Sequence, residues 1–156
     1  MIYIKKGIAC FERKDLKIFK EGIFESCFIE LTKSKLIIGE IYRIPNTCEA
    51  DFLSDYQIIM NKIKSENKKL IIGTDQNLDL IKYDIHPNTS KFLDINLSSG
   101  LLPSILRPTR ITKTTATLID NVYVDMRIDG YVKSAILLTR ISDHLPCFVS
   151  IGNGGP

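Results

Sequence analysis

The sequence lacks the long apolar segments that are typical of membrane and secreted proteins. No apolar run approaches the ~18 residues that a membrane-spanning helix requires. The segment from Met1 to Lys6 becomes charged too soon for a secretory signal. We therefore expect a soluble, intracellular protein with no membrane partner.

The sequence also lacks a Cys-x-x-Cys pair and any cysteine and histidine combination at metal-ligand spacing. Its four cysteines are widely scattered: Cys10, Cys27, Cys48 and Cys147. This spacing argues against a zinc site. We interpret the cysteines as small, buried side chains in a reducing compartment.

Neither sign of charge has a large excess. The 21 Lys and Arg residues exceed the 18 Asp and Glu residues by three, giving a net charge of +3. A mild basic excess of this kind permits contact with nucleic acid without demonstrating it. The 156 residues are 44% hydrophobic, and they contain no linker or repeat. The sequence thus predicts one domain over residues 1–151 and a flexible tail over residues 152–156.

Strand and helix patterns alternate along the chain. Phe24 to Leu31 and Leu36 to Tyr42 are rich in β-branched and aromatic residues and predict an antiparallel hairpin. The second segment is almost wholly apolar, so we expect it to be covered on both faces. Apolar spacing predicts a helix from Glu49 to Glu66 and a shorter one from about Thr89 to Leu97. Further strands are predicted at Leu70 to Gly73, Leu118 to Val124, Ala135 to Leu138 and Cys147 to Ile151.

Two short polar motifs follow apolar runs and are the candidates for a functional site. Asp75 and Asn77 come after one β-branched run, and Ser142-Asp143-His144 comes after another. Polar groups at strand ends can converge at one edge of a sheet, where they could meet a single phosphate. Each motif also has an ordinary structural interpretation, because Asp and Asn form turns and a lone His is usually structural.

Several segments together resemble a known family. The segments are Tyr42 to Asn46, Leu70 to Asn77, Arg107 to Thr112, Ala116 to Val124 and Ser142 to His144. As a set they resemble the endonuclease/exonuclease/phosphatase superfamily, and more narrowly the apurinic-type endonuclease domain of non-LTR retrotransposons. The resemblance extends over nearly the whole chain. It implies an α/β fold, in which a DNase I-like two-sheet β-sandwich is flanked by helices.

The resemblance also shows where this chain departs from the family. Thr74 stands where most relatives have a second glycine, and Gln76 stands where an aromatic residue is usual. Relatives begin with a strand that bears an asparagine and a second strand that ends in a metal-binding glutamate. Met1 to Cys10 resembles the region after those strands. The first strands are therefore expected to be missing, together with one metal ligand.

The resemblance implies a role for each candidate residue in phosphodiester hydrolysis. Asp75 would orient or deprotonate the attacking water, and Asn77 would hold the scissile phosphate through its amide. His144 would face the phosphate, with Asp120 accepting a hydrogen bond from its other ring nitrogen. Asp143 would contribute to binding Mg²⁺ or Mn²⁺.

Other residues are expected to contact the substrate. Tyr42 and Asn46 would donate hydrogen bonds to the phosphate. Thr109 and Arg110 lie in a surface loop and could contact a DNA phosphate, although a solvent-facing arginine beside threonine turns fits equally well. Arg43 and Arg107 are weaker candidates of the same kind. His86, in a polar loop before a proline, is expected to be exposed and uninvolved.

The leading functional hypothesis is a Mg²⁺-dependent retrotransposon-type endonuclease fragment that nicks DNA, with a nuclear location and a reverse transcriptase domain in the parent polyprotein. Two alternatives stay open. One is a catalytically inactive remnant that acts as a folded or partner-binding module. The other is a hydrolase of small phosphate esters or phosphoinositides, since the superfamily includes such enzymes.

Overall fold

A computed structural model describes residues 1–139 and 141–152. The predicted tail lies outside the described residues, except for Gly152. No helix among the described residues combines the length and the apolar character needed to cross a membrane.

Short strands and two long helices make up the fold. The strands are β1 (Cys10–Glu12), β2 (Phe19–Lys20), β3 (Phe24–Leu31), β4 (Ile37–Arg43), β5 (Leu70–Asp75), β6 (Leu101–Pro103), β7 (Arg110–Ile111), β8 (Ala116–Thr117), β9 (Asp120–Asp125), β10 (Tyr131–Ile136) and β11 (Cys147–Gly152). The helices are α1 (Glu49–Ser65) and α2 (Pro87–Ser98). Single 3-10 turns lie at Lys14–Leu16 and Leu80–Lys82.

A mixed seven-stranded sheet forms the centre of the molecule. Its strand order is β1-β3-β4-β5-β9-β6, with β2 paired to β3 at one edge. Strands β4 and β5 are parallel because α1 connects them, and the remaining pairs are antiparallel. The remaining strands of the described residues form two small sheets of two strands each, β7-β8 and β10-β11.

Both helices pack on one face of the large sheet. The core there contains an aromatic cluster of Phe24, Phe52, Tyr56, Phe92 and Tyr123, whose neighbouring ring centroids lie 5.0 to 5.8 Å apart. The apolar stripe of α1 supplies two of these rings, as its spacing predicts. Burial of this cluster fixes the helices against the sheet and leaves the opposite face free to form a site.

The predicted hairpin and both helices are confirmed, with ends that shift by one or two residues. The expectation that β4 is covered on both faces is wrong. Ile37, Gly39 and Ile41 are buried under the helices, whereas Glu40 and Tyr42 on the opposite face are exposed. A strand with two such faces gives the large sheet one closed side and one open side.

His86 has a structural role that the sequence did not predict. It is the N-cap of α2, and its side chain accepts a hydrogen bond from the Thr89 backbone N–H. Its Nδ1 also lies 2.7 Å from the Thr89 hydroxyl. The side chain is exposed as predicted, at 43%, but His86 is not uninvolved in local structure, because it caps α2.

Candidate functional site

A row of three polar residues crosses the sheet at the C-terminal end of β5. Tyr42 on β4 is paired with Asp75 on β5, and Asp75 is paired with Asp120 on β9. Because paired residues on adjacent strands point to the same face, the two carboxylates lie side by side. The row lies on the face of the sheet that the helices do not cover.

His144 reaches this row from the segment that precedes β11. Its Nδ1 lies 3.1 Å from each carboxylate oxygen of Asp120. The Ser142 hydroxyl accepts a hydrogen bond from the His144 backbone N–H and donates one to its carbonyl, which fixes the turn. One ligand atom each from Asp75, Asp120 and His144 lie within 4.8 Å of one another. Segments distant in the sequence thus converge at one point.

These side chains line a cleft of about 350 Å³, which we call the acidic cleft; its walls include Glu40, Gly73, Asp75, Asp120, His144 and Cys147. Removal from water and the nearby Asp120 charge raise the pKa of Asp75 to about 6, while His144 acts in the opposite direction. The Asp75 Oδ1 atom is buried and has no hydrogen-bond partner among the described residues. Buried carboxylate oxygens normally have a partner.

The donor set of the acidic cleft fits a hard divalent cation. Two adjacent carboxylates repel each other, and Asp75 Oδ1 lacks a donor. Mg²⁺ and Mn²⁺ take carboxylate oxygens and keep several waters, so one or two protein carboxylates suffice to hold them. Asp75 and Asp120 are the residues that could hold such an ion.

Thr109 supports the cleft from behind. Its side chain is fully buried, and its hydroxyl oxygen accepts hydrogen bonds from the backbone N–H groups of Ile119 (3.2 Å) and Asp120 (3.0 Å). A hydroxyl in this place cannot reach a ligand. Thr109 therefore positions the start of β9, in place of the predicted contact with DNA.

Arg110 and Asp143 form an exposed ion pair beside the cleft. The Arg110 Nε donates to Asp143 Oδ2 at 2.7 Å, and this contact lowers the pKa of Asp143. Asp143 is not a member of the group formed by Asp75, Asp120 and His144. The structure thus pairs the residue predicted as a metal ligand with the one predicted to contact DNA.

Asn77 is held by a buried arginine. The Arg43 guanidinium donates to the carbonyls of Gln76 and Asn77, both at 2.7 Å, and the Asn77 amide donates to the Arg43 carbonyl at 2.7 Å. Arg43 is 2% exposed, so the prediction of a phosphate contact for it is wrong. Its planar fork instead binds two consecutive carbonyls and fixes Asn77, whose φ is +48°.

The two departures from the family pattern contact each other. The Thr74 hydroxyl donates a short hydrogen bond to the side-chain carbonyl of Gln76, and both side chains are buried. The Gln76 amide also lies 3.4 Å from the Leu78 carbonyl. The buried polar side chains of the turn after Asp75 therefore form hydrogen bonds with each other and with the local backbone. The turn needs neither a second glycine nor an aromatic residue.

Tyr42 and Asn46 lie at the edge of the site. The Tyr42 side chain is 41% exposed, and Asn46 occupies an exposed turn with a φ of +61°. Neither lines the acidic cleft, although the Tyr42 backbone is paired with Asp75. Both are available to a ligand larger than the cleft itself.

Glu40 lines the acidic cleft and was missed by sequence reasoning. Glu40 is the one carboxylate of a strand that is mostly apolar, and an apolar strand predicts a covered structural element. The alternation of side chains along a strand could have indicated Glu40. Because Glu40 and Tyr42 are two residues apart, they lie on the same face of β4.

Comparison with known proteins gives fold relationships only. No protein-family model matches the chain, and no curated protein is detectably similar in sequence. The endonuclease domain of TRAS1, a telomere-specific non-LTR retrotransposon, superposes with a TM-score of 0.70 at 11% identity, over 97% of this chain and 72% of that domain.

Two bacterial structures show the same relationship. A mannosyl-6-phosphatase of Bacteroides thetaiotaomicron has a TM-score of 0.56 at 14% identity, over 93% of this chain and 65% of the phosphatase. A 3′ phosphatase from Neisseria bound to a product DNA hairpin has a TM-score of 0.56 at 12% identity, over 96% of this chain and 72% of its own.

These relationships define the class of fold. The chain has a DNase I-like α/β fold, which it shares with solved structures of endonuclease/exonuclease/phosphatase family proteins, as the resemblance implies. Within that class, it is structurally similar to a non-LTR retrotransposon endonuclease domain. The chain spans only 57 to 65% of the length of some structures that share the fold.

Proposed function

We propose that the acidic cleft belongs to a divalent-metal-dependent hydrolase of phosphate esters. The observation that carries the proposal is the convergence of Asp75, Asp120 and His144 within 4.8 Å, together with the buried, unpartnered Asp75 Oδ1. When bound, a divalent cation would neutralise charge on the phosphoryl oxygens.

Asp75 is suited to act on the attacking water. Its pKa of about 6 leaves the carboxylate ionised at neutral pH but closer to that pH than an ordinary aspartate. Such a carboxylate can orient a water and accept its proton. Because it is a stronger base than a fully solvated aspartate, the proton transfer is less unfavourable. The burial of Asp75 and the neighbouring Asp120 charge raise this pKa.

His144 is suited to face the phosphate. Because its Nδ1 is engaged with Asp120, the ring presents Nε2 to the cleft as the atom free for substrate. The carboxylate fixes the tautomer and the ring orientation. A protonated ring in this position can donate a hydrogen bond to a phosphoryl oxygen or a proton to the leaving oxygen.

We infer that the substrate is a DNA phosphodiester and that the activity is nicking by a retrotransposon-type endonuclease. Tyr42, Asn46 and the free amide hydrogen of Asn77 supply donors around the cleft for a substrate that extends beyond it. The fold similarity to a retrotransposon endonuclease and to a phosphatase bound to a DNA hairpin favours DNA. A linked reverse transcriptase and a nuclear location stay predictions from the sequence resemblance.

Nicking of supercoiled plasmid tests the proposal. The chain with Mg²⁺ should produce open circles, and EDTA should abolish them. His144→Ala and Asp75→Ala should each lower the rate by about 100-fold or more, since each removes an acid or base group. His86→Ala changes the other histidine, which lies outside the cleft, and should keep the rate of the unchanged chain.

A parallel panel of phosphate monoesters and phosphoinositides separates the alternatives. Hydrolysis of these compounds without nicking would replace DNA by a small phosphate ester. Equal nicking by the unchanged chain and both cleft variants would refute an active site at this place. No hydrolysis of any substrate would favour a folded module without catalysis.

A further inference from the structure

Glu40 is a third carboxylate of the acidic cleft. It lies two residues before Tyr42 on β4, and its backbone is paired with Gly73 on β5. Gly73 is in turn paired with Val122 on β9. The row of Glu40, Gly73 and Val122 therefore lies directly beside the row of Tyr42, Asp75 and Asp120, on the same open face of the sheet.

Gly73 provides the space that Glu40 occupies. A Cβ atom placed on Gly73 would lie 2.7 Å from Glu40 Oε2, which is too close for any real side chain. Gly73 has no positive φ, so a side chain here would not strain the backbone but would displace the flexible Glu40 carboxylate. The Glu40 carboxylate therefore lies over Gly73 of β5, the strand that carries Asp75.

No cation neutralises this carboxylate by direct contact. Among residues 1–139 and 141–152, no side chain forms a hydrogen bond or an ion pair with the Glu40 carboxylate. Removal from water raises the pKa of Glu40, and the charges of Asp75 and Asp120 raise it further, while the amino terminus lowers it. Three carboxylates thus repel one another across one cleft.

Glu40 is not a member of the group of Asp75, Asp120 and His144, whose ligand atoms lie within 4.8 Å of one another. A hydrated Mg²⁺ or Mn²⁺ keeps several waters. A carboxylate one water beyond the ion can accept a hydrogen bond from such a water and add negative charge. Partners of this kind typically change metal affinity by about 10- to 100-fold.

We propose that Glu40 helps to hold the divalent cation of the acidic cleft by accepting a hydrogen bond from a metal-bound water, and that Gly73 is the residue that admits it. This inference rests on the proposed function, since it assumes a cation at Asp75 and Asp120. Glu40 is a positioning residue, because it acts on the ion through water and does not touch the reacting phosphate.

Calorimetric titration with MnCl₂ at pH 7.5 measures the affinity directly, without any activity assay. Glu40→Gln keeps the shape of the side chain but removes its charge, and it should weaken Mn²⁺ binding by about 10-fold. Gly73→Ala should weaken it to a similar extent by displacing the carboxylate. Glu25→Gln is the matched control, because Glu25 is an exposed glutamate on the neighbouring strand, paired with Tyr42. It should change the affinity less than 2-fold.

The outcomes separate this inference from the proposed function. Mn²⁺ binding that is lost in Asp75→Asn but unchanged in Glu40→Gln would overturn the role of Glu40 and leave the metal-dependent hydrolase in place. No Mn²⁺ binding by the unchanged chain would overturn both. Circular dichroism shows whether Gly73→Ala folds. If it does not fold, the Mn²⁺ affinity of Glu40→Gln alone tests the role of Glu40.

Discussion

At the scale of single residues, the site depends on side chains that hold other side chains. Arg43 fixes Asn77 through two carbonyls, and Thr109 fixes the start of β9 behind Asp120. Both were expected to contact DNA, because a sequence shows the residue type but not the direction in which a side chain points. Their burial shows that the chemistry of the cleft is supported by polar groups with no access to substrate.

Asp75 gives a prediction about pH and stability in the metal-free protein. Its pKa is about 6 in the folded chain and near 3.8 in the unfolded chain, so ionisation opposes folding. The cost is absent below the unfolded value, develops as the pH rises, and is complete above about pH 6. Asp75→Asn should therefore be more stable by about 2 kcal/mol at pH 7.5, and this difference should vanish near pH 4.

Urea denaturation with EDTA at several pH values measures this difference. Asp84→Asn, in an exposed loop, is the matched control and should follow the unchanged chain throughout. Excess Mn²⁺ should stabilise the unchanged chain and have little effect on Asp75→Asn. A difference that is the same at pH 4 and pH 7.5 would show that the burial of Asp75 does not oppose its ionisation.

At the scale of elements, the sequence predicted most of the large sheet and both helices, since their apolar spacing is regular. The family resemblance also identified Asp75, Asp120 and His144, and the structure brings these three together. It did not identify Glu40, because the mostly apolar strand around Glu40 was expected to be covered on both faces. The resemblance also could not show that Asp143 pairs with Arg110, because the order of motifs along a sequence does not give the distances between side chains.

His86 links the starts of both helices, which gives a prediction for α2. Its side chain caps α2 through the Thr89 backbone N–H, and its Nε2 lies 3.6 Å from a carboxylate oxygen of Glu49 in the first turn of α1. His86→Ala should lower the free energy of unfolding by about 1 kcal/mol, as expected for loss of an N-cap. Thermal or urea denaturation at pH 7.5 measures it.

His86→Asn is the informative partner of this substitution. Asparagine is a good N-cap, so this variant should recover most of the lost stability although it cannot reproduce the contact with Glu49. If His86→Asn were as unstable as His86→Ala, the contribution of His86 would come from packing between the helices and not from the cap.

At the scale of the whole molecule, charged side chains are arranged differently at the two ends of the large sheet. The end of β5 gathers the carboxylates of Asp75 and Asp120 side by side in the acidic cleft, whereas carboxylates at the opposite end are paired with Arg and Lys side chains. There the buried Arg13 contacts Asp15, Glu30 and Glu66, and Lys68 contacts both glutamates. This network joins the segment after β1 to β3 and to the end of α1.

The network predicts a loss of stability in acid. Arg13 lowers the pKa of Asp15 and of Glu66, so their contribution is present above the unfolded values near pH 4 and is lost as the pH falls through the lower folded values. Arg13→Gln leaves the buried Glu30 with Lys68 as its only cation among the described residues. Because Asp15 and Glu66 are partly solvated, we expect a loss of about 2 kcal/mol at pH 7, less than for a fully buried pair.

Urea denaturation between pH 7 and pH 3 tests this expectation. The difference between Arg13→Gln and the unchanged chain should shrink as the pH falls below about 4, where the carboxylates become protonated. Lys17→Gln, which breaks the exposed pair with Glu12, should cost less than about 0.5 kcal/mol at any pH. A loss of similar size in both variants would mean that burial adds nothing to the Arg13 network, and that the acid sensitivity of the fold arises elsewhere.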